Sequence, residues 1–440
     1  MVAGLLALGH QVAVLARDHR GAAKAFTWHR VEDNGSSVYW LHHQLSDARS
    51  YRETWNDRRL LEPLRQIFAD FEPEIVHLAH PDGWGIVPLE LAREQDLCTG
   101  ATLHDYKWLC ARGQMLHPSG ERCERIDEER CVRCIHDQLD GGGLRALARN
   151  FAPTPLLRWA QQHVQREMDR PKQAGRLARQ RWRTGHIALL SSLRDCDLLV
   201  SPSRFVARRY QDSALAREVE VIANGLMLDD SEWAAPARRP KAQRWPFLRD
   251  STHSPLQIGF FANGHPSKGL SLLQQAVAAL PPGSVHLHIH GPCQGADNPA
   301  WSFHGAYVQG DLAQLMRDMD VVALPSLWDE NQPMVALEAR AFGKALIVSD
   351  AGGLPELVKD GVDGWIFPAG NPEDWAEGIA ILAADRSKAR EASHSSQPPP
   401  SAEAMSSAYL HAYRRALHKE TFVPALTAGS PVEDNVPSRP

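Results

Sequence analysis

Two glutamates near a strand end carry the clearest chemical signal. Residues 321–324 read as a strand, 325–333 as a turn-rich loop and 334–342 as a helix, with Gly343 as its stop. A strand, a loop and a helix N-terminus together present unpaired backbone N–H groups and a positive dipole end to an anion. Pro333 suits the first helical turn. In open α/β sheets ligands sit outside the carboxyl ends of the strands. Glu330 lies on the loop and Glu338 about one and a half turns into the helix. The carboxylates can therefore reach different parts of one ligand, such as two sets of sugar hydroxyls, and their spacing argues against a dyad sharing one proton. The plain alternative is a helix cap and a surface pair.

A second constellation is made of thiols. Cys110, Cys123, Cys131 and Cys134 cluster in residues 110–134, and Cys131 and Cys134 form a C-x2-C pair able to place two thiolates on one tetrahedral ion. Cys110 and Cys123 lie too far apart to form a second knuckle. A structural zinc with all four thiolates as ligands is the preferred reading. An iron–sulfur cluster, free buried thiols and disulfides remain open. No open coordination position is implied, so the cluster is assigned no catalytic role. Cys98, Cys196 and Cys293 are scattered and are expected to be buried.

The elements that must position these groups follow from the apolar pattern. The chain has 440 residues, which suggests two or three domains. With 43% hydrophobic and 23% charged residues it has an ordinary globular composition. Mean hydropathy is −0.37, and no apolar run approaches the ~20 residues of a membrane-spanning helix. A net charge of −5 gives no signature of a nucleic-acid binder, and seven cysteines are too few for a disulfide scaffold, so a cytoplasmic setting is the default. Apolar runs at 12–15, 75–78, 99–103 and 198–200 alternate with helical stretches, and the pattern restarts with runs at 256–262, 285–290, 321–324 and 345–348. Amphipathic segments near 270–280, 312–319, 334–342 and 375–382 separate the second set. The fold class is α/β, with two Rossmann-like domains.

The first domain spans 1–225, a linker with Pro236, Pro240, Pro246 and Pro255 spans 226–255, and the second domain spans 256–385. A second linker at 386–401, a helix at 402–420 that returns to the first domain, and a disordered tail at 421–440 complete the chain. A basic helical insert at 144–186 carries ten Arg or Lys against Glu167 and Asp169. It reads as a solvated helical face. The sharper reading is a patch, with Trp159 and Trp182, that docks on anionic lipid at the inner face of a membrane or on a charged acceptor. Residues 2–9 read as the last turns of a helix with Gly9 at C′. A start in mid-helix leads to the expectation that a first strand and its glycine-rich turn are missing. Two Asp-x-Asp triplets, Asp195–Asp197 and Asp318–Asp320, precede strands and are read as chance matches at helix-to-strand turns.

Four further phrases complete the pattern: 221–225 (Val-Ile-Ala-Asn-Gly), 260–269 (ending Ser267-Lys268-Gly269), 350–358 (Asp-Ala-Gly-Gly-Leu-Pro-Glu-Leu-Val) and 360–368. With the Glu330/Glu338 stretch, this ordered set resembles the family-4 glycosyltransferases of the two-domain GT-B fold. The resemblance covers nearly the whole chain and is densest from 221 to 376. The phrase at 8–14 resembles the end of the family's first helix and its second strand. The segment around the cysteine cluster looks similar to a subset of the family from bacterial surface-polysaccharide pathways.

The resemblance implies residue roles. Glu330 would contact hydroxyls of the donor sugar, and Glu338 the ribose of the nucleotide. Asn331, Gln332, Met334 and Val335 would offer backbone N–H groups to the diphosphate and sugar, while Pro333 has none. Lys268 looks like the lysine that neutralises the diphosphate, where a fixed cation stabilises the charge gained by the leaving group. His104, after a first-domain strand, resembles the family histidine near the reacting sugar, with a structural histidine as the alternative. One departure is Asn263, which stands where the family usually has an arginine. The other is the missing glycine-rich turn. The expected function is retaining transfer of a sugar from a nucleotide-diphosphate donor to a saccharide, lipid-linked or polyol acceptor, without a catalytic metal and without nucleic acid. The rivals are a sugar-nucleotide epimerase or phosphorylase of the same architecture, and a decayed, non-catalytic protein that binds the nucleotide-sugar or a partner only.

Overall fold

A computed structural model describes residues 1–18, 24–43, 48, 50–135, 175–215, 217–227 and 254–418. Residues 144–174 of the basic insert, including Trp159, nearly all of the 226–255 linker and the 421–440 tail lie outside the described residues.

The first domain opens with β1 (Ala13–Asp18), β2 (Trp28–Asp33) and β3 (Ser36–His42). They form a sheet of order β1-β3-β2, with β1 parallel and β2 antiparallel to β3. The β2–β3 hairpin turns through Asn34 and Gly35, both at positive φ, as a tight two-residue turn demands. A separate parallel sheet follows, in the order β4 (Ile75–Leu78), β5 (Cys98–Thr102), β6 (Leu198–Ser201) and β7 (Glu220–Val221).

The second domain is one parallel sheet of β8 (Leu256–Phe261), β9 (Val285–His290), β10 (Trp301–Gly305), β11 (Val321–Leu324), β12 (Ala345–Ser349) and β13 (Gly364–Phe367). Its order is β10-β9-β8-β11-β12-β13. The strand order reverses between β8 and β11, and such a switch point opens a crevice at the strands' carboxyl ends. β11 and β12 are buried along their whole length, which is why both read as unbroken apolar runs. The helices Leu270–Ala278 and Pro372–Ala384 contribute Leu273, Ala276, Trp375 and Ile379 to a core that includes Ile258 and Ile347. Leu312–Arg317 and Met334–Ala341 contribute Met316, Leu337 and Ala339 to a second core, with Val322 and Leu346.

The helix Ala402–His418 lies against the first domain, where Tyr409 and Tyr413 pack with Cys98, Leu198, Val200 and Ile222. Thr102 Oγ1 is 2.8 Å from Tyr409 Oη, and His77 Nδ1 bonds Tyr413 Oη. The Val2–Ala7 helix packs on the same element through Gly4, and Gly9 follows it at φ 84°.

Two expectations change. Residues 386–401 were expected as a linker, but Arg386–Ser395 is a helix. Its polar composition hides an inward face of Ala389 and Ala392, and Arg386 pairs with Asp320. Trp182, which only the sharper reading of the basic insert placed on a docking patch, is buried in the helix Arg176–Arg194, where it stacks on His186 (4.7 Å) and joins the first-domain core. Among the described residues no helix is long and apolar enough to cross a membrane. Both Asp-x-Asp triplets are structural. Asp197 Oδ2 accepts from Thr99 N (2.7 Å), and Asp320 Oδ2 from Gln257 N (2.9 Å).

Candidate functional site

The loops after β8 and β11 meet at the switch point. Gly269 makes the meeting possible. It sits at φ 75°, and a Cβ there would come within 1.8 Å of Pro325 O. Leu327 N donates to Ser267 O (2.8 Å), tying the loops together. Lys268 Nζ therefore reaches Glu330 Oε1 at 2.6 Å. Ser326 Oγ and Trp328 Nε1 donate to the same oxygen, each at 2.8 Å, and Lys268 Nζ lies 5.4 Å from the Trp328 ring centroid. Glu330 is only 5% exposed, so this charge is held by an ammonium and two neutral donors rather than by water. The Gly352–Gly353 pair presses the loop after β12 onto the same backbone, and Gly353 N donates to Glu330 O (2.7 Å).

Behind Glu330 the helix Met334–Ala341 begins, with Pro333 at its N-cap. The Met334 and Val335 N–H groups of its first turn have no intrahelical acceptor by construction, whereas Ala336 N donates to Pro333 O (3.1 Å). Glu338, half-buried, accepts from Gln309 Nε2 at 3.1 Å, which brings the turn after β10 beside it. Asn263 is exposed, and its Oδ1 accepts from His265 N, so no second cation stands at this position.

The side chains of Asn331 and Gln332 face another task. Asn331 Nδ2 donates to the carbonyls of Leu103 (2.8 Å) and His104 (3.1 Å) across the cleft. Gln332 Oε1 accepts from Asn224 N (2.6 Å), and Asn224 Nδ2 donates to Gln332 O. These side chains join the domains, and the role expected of Asn331 and Gln332 toward a ligand rests on their backbone amides, as the resemblance implies. Glu356 of the Gly-Gly-Leu-Pro-Glu phrase is likewise a bridge. Its carboxylate accepts from Arg204 N (2.9 Å) and Phe205 N (2.6 Å), capping a first-domain helix, Arg204–Tyr210, beside Ser203.

The first domain brings His104 to the cleft wall as an exposed side chain just past β5. Surrounding protein lowers its pKa, the Asp105 charge pushes it back up and His80 adds to the lowering. Beside it, His80 Nε2 contacts Asp105 Oδ2 (2.8 Å), and Lys107 pairs with Asp82 (3.0 Å).

Sequence reasoning passed over Asp329. This carboxylate is 5% exposed and takes Arg122 (3.1 Å) and Arg209 (3.3 Å), both from the first domain. Its position next to Glu330 was the available signal. Nothing local marks the two arginines, which arrive from distant segments.

Two family models match the chain. "Glycosyltransferase Family 4" covers residues 1–230, and "Glycosyl transferases group 1" covers residues 255–385. The chain belongs to glycosyltransferase family 4. Curated relatives include D-inositol 3-phosphate glycosyltransferases. The one from Stackebrandtia nassauensis is 32% identical over 178 residues, covering 36% of this chain and 39% of that protein. The one from Mycolicibacterium vanbaalenii is 45% identical over 76 residues, or 17% of each chain. The alignments thus span well under half the length of these relatives. Among solved structures, sucrose-phosphate synthase from Thermosynechococcus elongatus aligns with a TM-score of 0.59 at 15% identity, covering 95% of this chain and 92% of that one. Anabaena HepE in complex with UDP and glucose aligns at 0.53 and 16% identity, covering 93% and 99%. The fold is that of the GT-B glycosyltransferases.

The four clustered thiols of this family-4 chain lie in one partly buried region, three of them packed against the first-domain core. Burial raises the pKa of Cys131 to about 12 and of Cys134 to about 11, with Cys110 adding to both shifts, and burial also raises Cys123. The donor set suits zinc. Among the described residues, three potential ligand atoms mutually within 4.8 Å occur at His288, His290 and His304.

Proposed function

We propose that this chain is a retaining glycosyltransferase that moves a hexose from a nucleoside-diphosphate sugar to a saccharide or lipid-linked acceptor, in the synthesis of bacterial surface polysaccharide or glycoconjugate. The observation that carries the reading is the Lys268–Glu330 pair at the β8/β11 switch point, beside the N-terminus of the Met334–Ala341 helix. The diphosphate would lie against the Met334 and Val335 amides, and the Lys268 ammonium would turn to it as charge builds on the leaving group. Glu330 keeps Ser326 and Trp328 as donors when the lysine turns away, so its buried charge stays compensated. All three of its partners meet Oε1, which leaves Oε2 for a sugar hydroxyl. Glu338 would take the ribose hydroxyls.

In the transfer step the bond from the sugar's anomeric carbon to the phosphate oxygen breaks, and a bond to the acceptor oxygen forms on the same face. The acceptor proton passes to the departing phosphate oxygen, so no protein base is needed. His104 would face the reacting sugar as a neutral hydrogen-bonding group. The interdomain bonds of Asn331, Asp329 and Glu356 fit a closed cleft that excludes water from the donor. Cys110, Cys123, Cys131 and Cys134 would hold a structural zinc, with no part in transfer.

The test is binding of radiolabelled UDP-, GDP- and ADP-sugars, followed by acceptor transfer with the product's anomeric configuration read by NMR. One donor should bind and give the anomer of the donor. Inverted product overturns retention. Binding without transfer to any acceptor favours the non-catalytic alternative, and no binding at all ends the reading. Elemental analysis should find one zinc per chain, lost in Cys131→Ser, and finding none would remove the zinc.

A further inference from the structure

We propose that His288, His290 and His304 form a binding site for one divalent transition-metal ion of the zinc, nickel or copper kind. The site lies on the outer strands of the second domain and does not depend on the transferase reading. β9 alternates: Val285, Leu287 and Ile289 are buried in the core, and His286, His288 and His290 fall on the other face. β10 pairs in parallel with β9, Ser302 opposite His288 and Gly305 opposite His290, with the register broken between Phe303 and Gly305. His304 is the extra residue of that break, and such a bulge re-aims a side chain. It brings His304 Nε2 to 3.0 Å from His288 Nδ1, and the His304 ring stacks on His290 with centroids 4.4 Å apart.

One nitrogen from each ring lies within 4.8 Å of the other two. With metal–nitrogen bonds of about 2.0–2.1 Å, neighbouring ligand nitrogens stand roughly 2.9–3.4 Å apart. The His288–His304 separation already fits.

The surroundings prepare the rings for a cation. Gln257 Nε2 donates to Pro255 O (2.7 Å), so its Oε1 is the atom facing His288 Nε2 at 2.7 Å. An amide oxygen accepts, hence His288 Nε2 carries the proton and Nδ1 keeps its lone pair toward His304. This is the outer-sphere arrangement that orients metal-ligating histidines. On binding, the proton between the two rings leaves His304 Nε2 for its Nδ1 or for water. His290 is only 3% exposed, and its Nε2 has no hydrogen-bond partner, an expensive state for a buried polar atom unless something completes it. Phe261 stacks on that ring at 4.6 Å and fixes its plane. His286 is engaged elsewhere, with Ser302 Oγ 3.0 Å from its Nε2, and is not a ligand. Three imidazoles favour zinc, nickel or copper over magnesium or calcium. His304 is exposed, so solvent can fill a remaining position.

The test uses the full chain and Ni²⁺, which separates imidazole ligands from the thiol cluster. Calorimetry should show one Ni²⁺ bound per chain. His304→Ala and His288→Ala should each weaken it by about tenfold or more, Gln257→Leu by about tenfold, and His286→Ala and Cys131→Ser not at all. Electron paramagnetic resonance with one equivalent of Cu²⁺ should show coupling to several imidazole nitrogens, reduced in His304→Ala. Because His304 is exposed, the melting temperature of that variant without metal should match the parent. Ni²⁺ binding unchanged in both His288→Ala and His304→Ala, or no stoichiometric binding by the parent chain, overturns the proposal.

Discussion

Lys268 and Glu330 neutralise each other inside protein, and that pairing fixes what their removal should do. Lys268→Ala takes a cation from the site of charge development and should lower kcat on the order of 10²–10³-fold. Glu338→Ala should act through donor affinity, raising KM for the nucleotide-sugar. Glu330 retains Ser326 and Trp328 in the lysine variant, so both proteins should melt within a few degrees of the parent. Steady-state kinetics and thermal melts check this, and parental kinetics in both variants would place the donor elsewhere.

A second residue-scale consequence concerns protons. Burial holds His77 near a pKa of about 3, against 6.5 for the free group, and lowers His288 and His290 to about 4, with neighbouring histidines adding to the lowering. Between those values the unfolded chain binds protons that the native chain refuses. Stability is therefore complete above about pH 6.5 and is lost as pH falls toward 3, by up to about 1.4 kcal/mol per pH unit for a fully buried imidazole. Denaturant unfolding at pH 7 and pH 5 should show the drop, and equal values would contradict it.

At the scale of elements, the site is a set of loops held by backbone fit. Gly269 is the tightest case, at φ 75° with Pro325 O where a Cβ would stand. Gly269→Ala should cost more than about 1 kcal/mol and also weaken donor binding, because it moves Lys268 away from the β11 loop. Calorimetric melting and nucleotide titration together test this. A stable variant with full affinity would show that the two loops need not touch. The Lys-Gly and Gly-Gly phrases were visible in the sequence, but the backbone carbonyls they accommodate, Pro325 O and Glu330 O, were not. Those contacts join segments far apart in the chain.

At the scale of the whole molecule, Asp329 holds both domains by taking Arg122 and Arg209. Asp329→Ala removes the buried charge and leaves two arginines that can turn to water, so the cost should be about 1.5–3 kcal/mol rather than that of an orphaned buried ion. The looser cleft should enlarge the radius of gyration in small-angle scattering. An unchanged radius would mean that Asn331, Gln332 and Glu356 suffice to hold the domains together.

What was legible in the sequence was local. Apolar runs such as 321–324 and 345–348 marked the strands because a central parallel strand buries both faces. The loop-to-helix phrase around Glu330, Pro333 and Glu338 marked an anion site because the dipole and free amides belong to one short segment. The helix at 386–395 escaped because only two alanines face inward, and the membrane-patch reading of Trp182 failed because side-chain burial depends on what packs opposite. Tertiary structure alone decided that Asn331 and Gln332 spend their side chains on the first domain. It also decided that Asp329 bridges two arginines and that a strand bulge gathers three histidines. The first two join residues more than a hundred positions apart, and the third turns on a register break between neighbouring strands; short-range patterns carry no record of either.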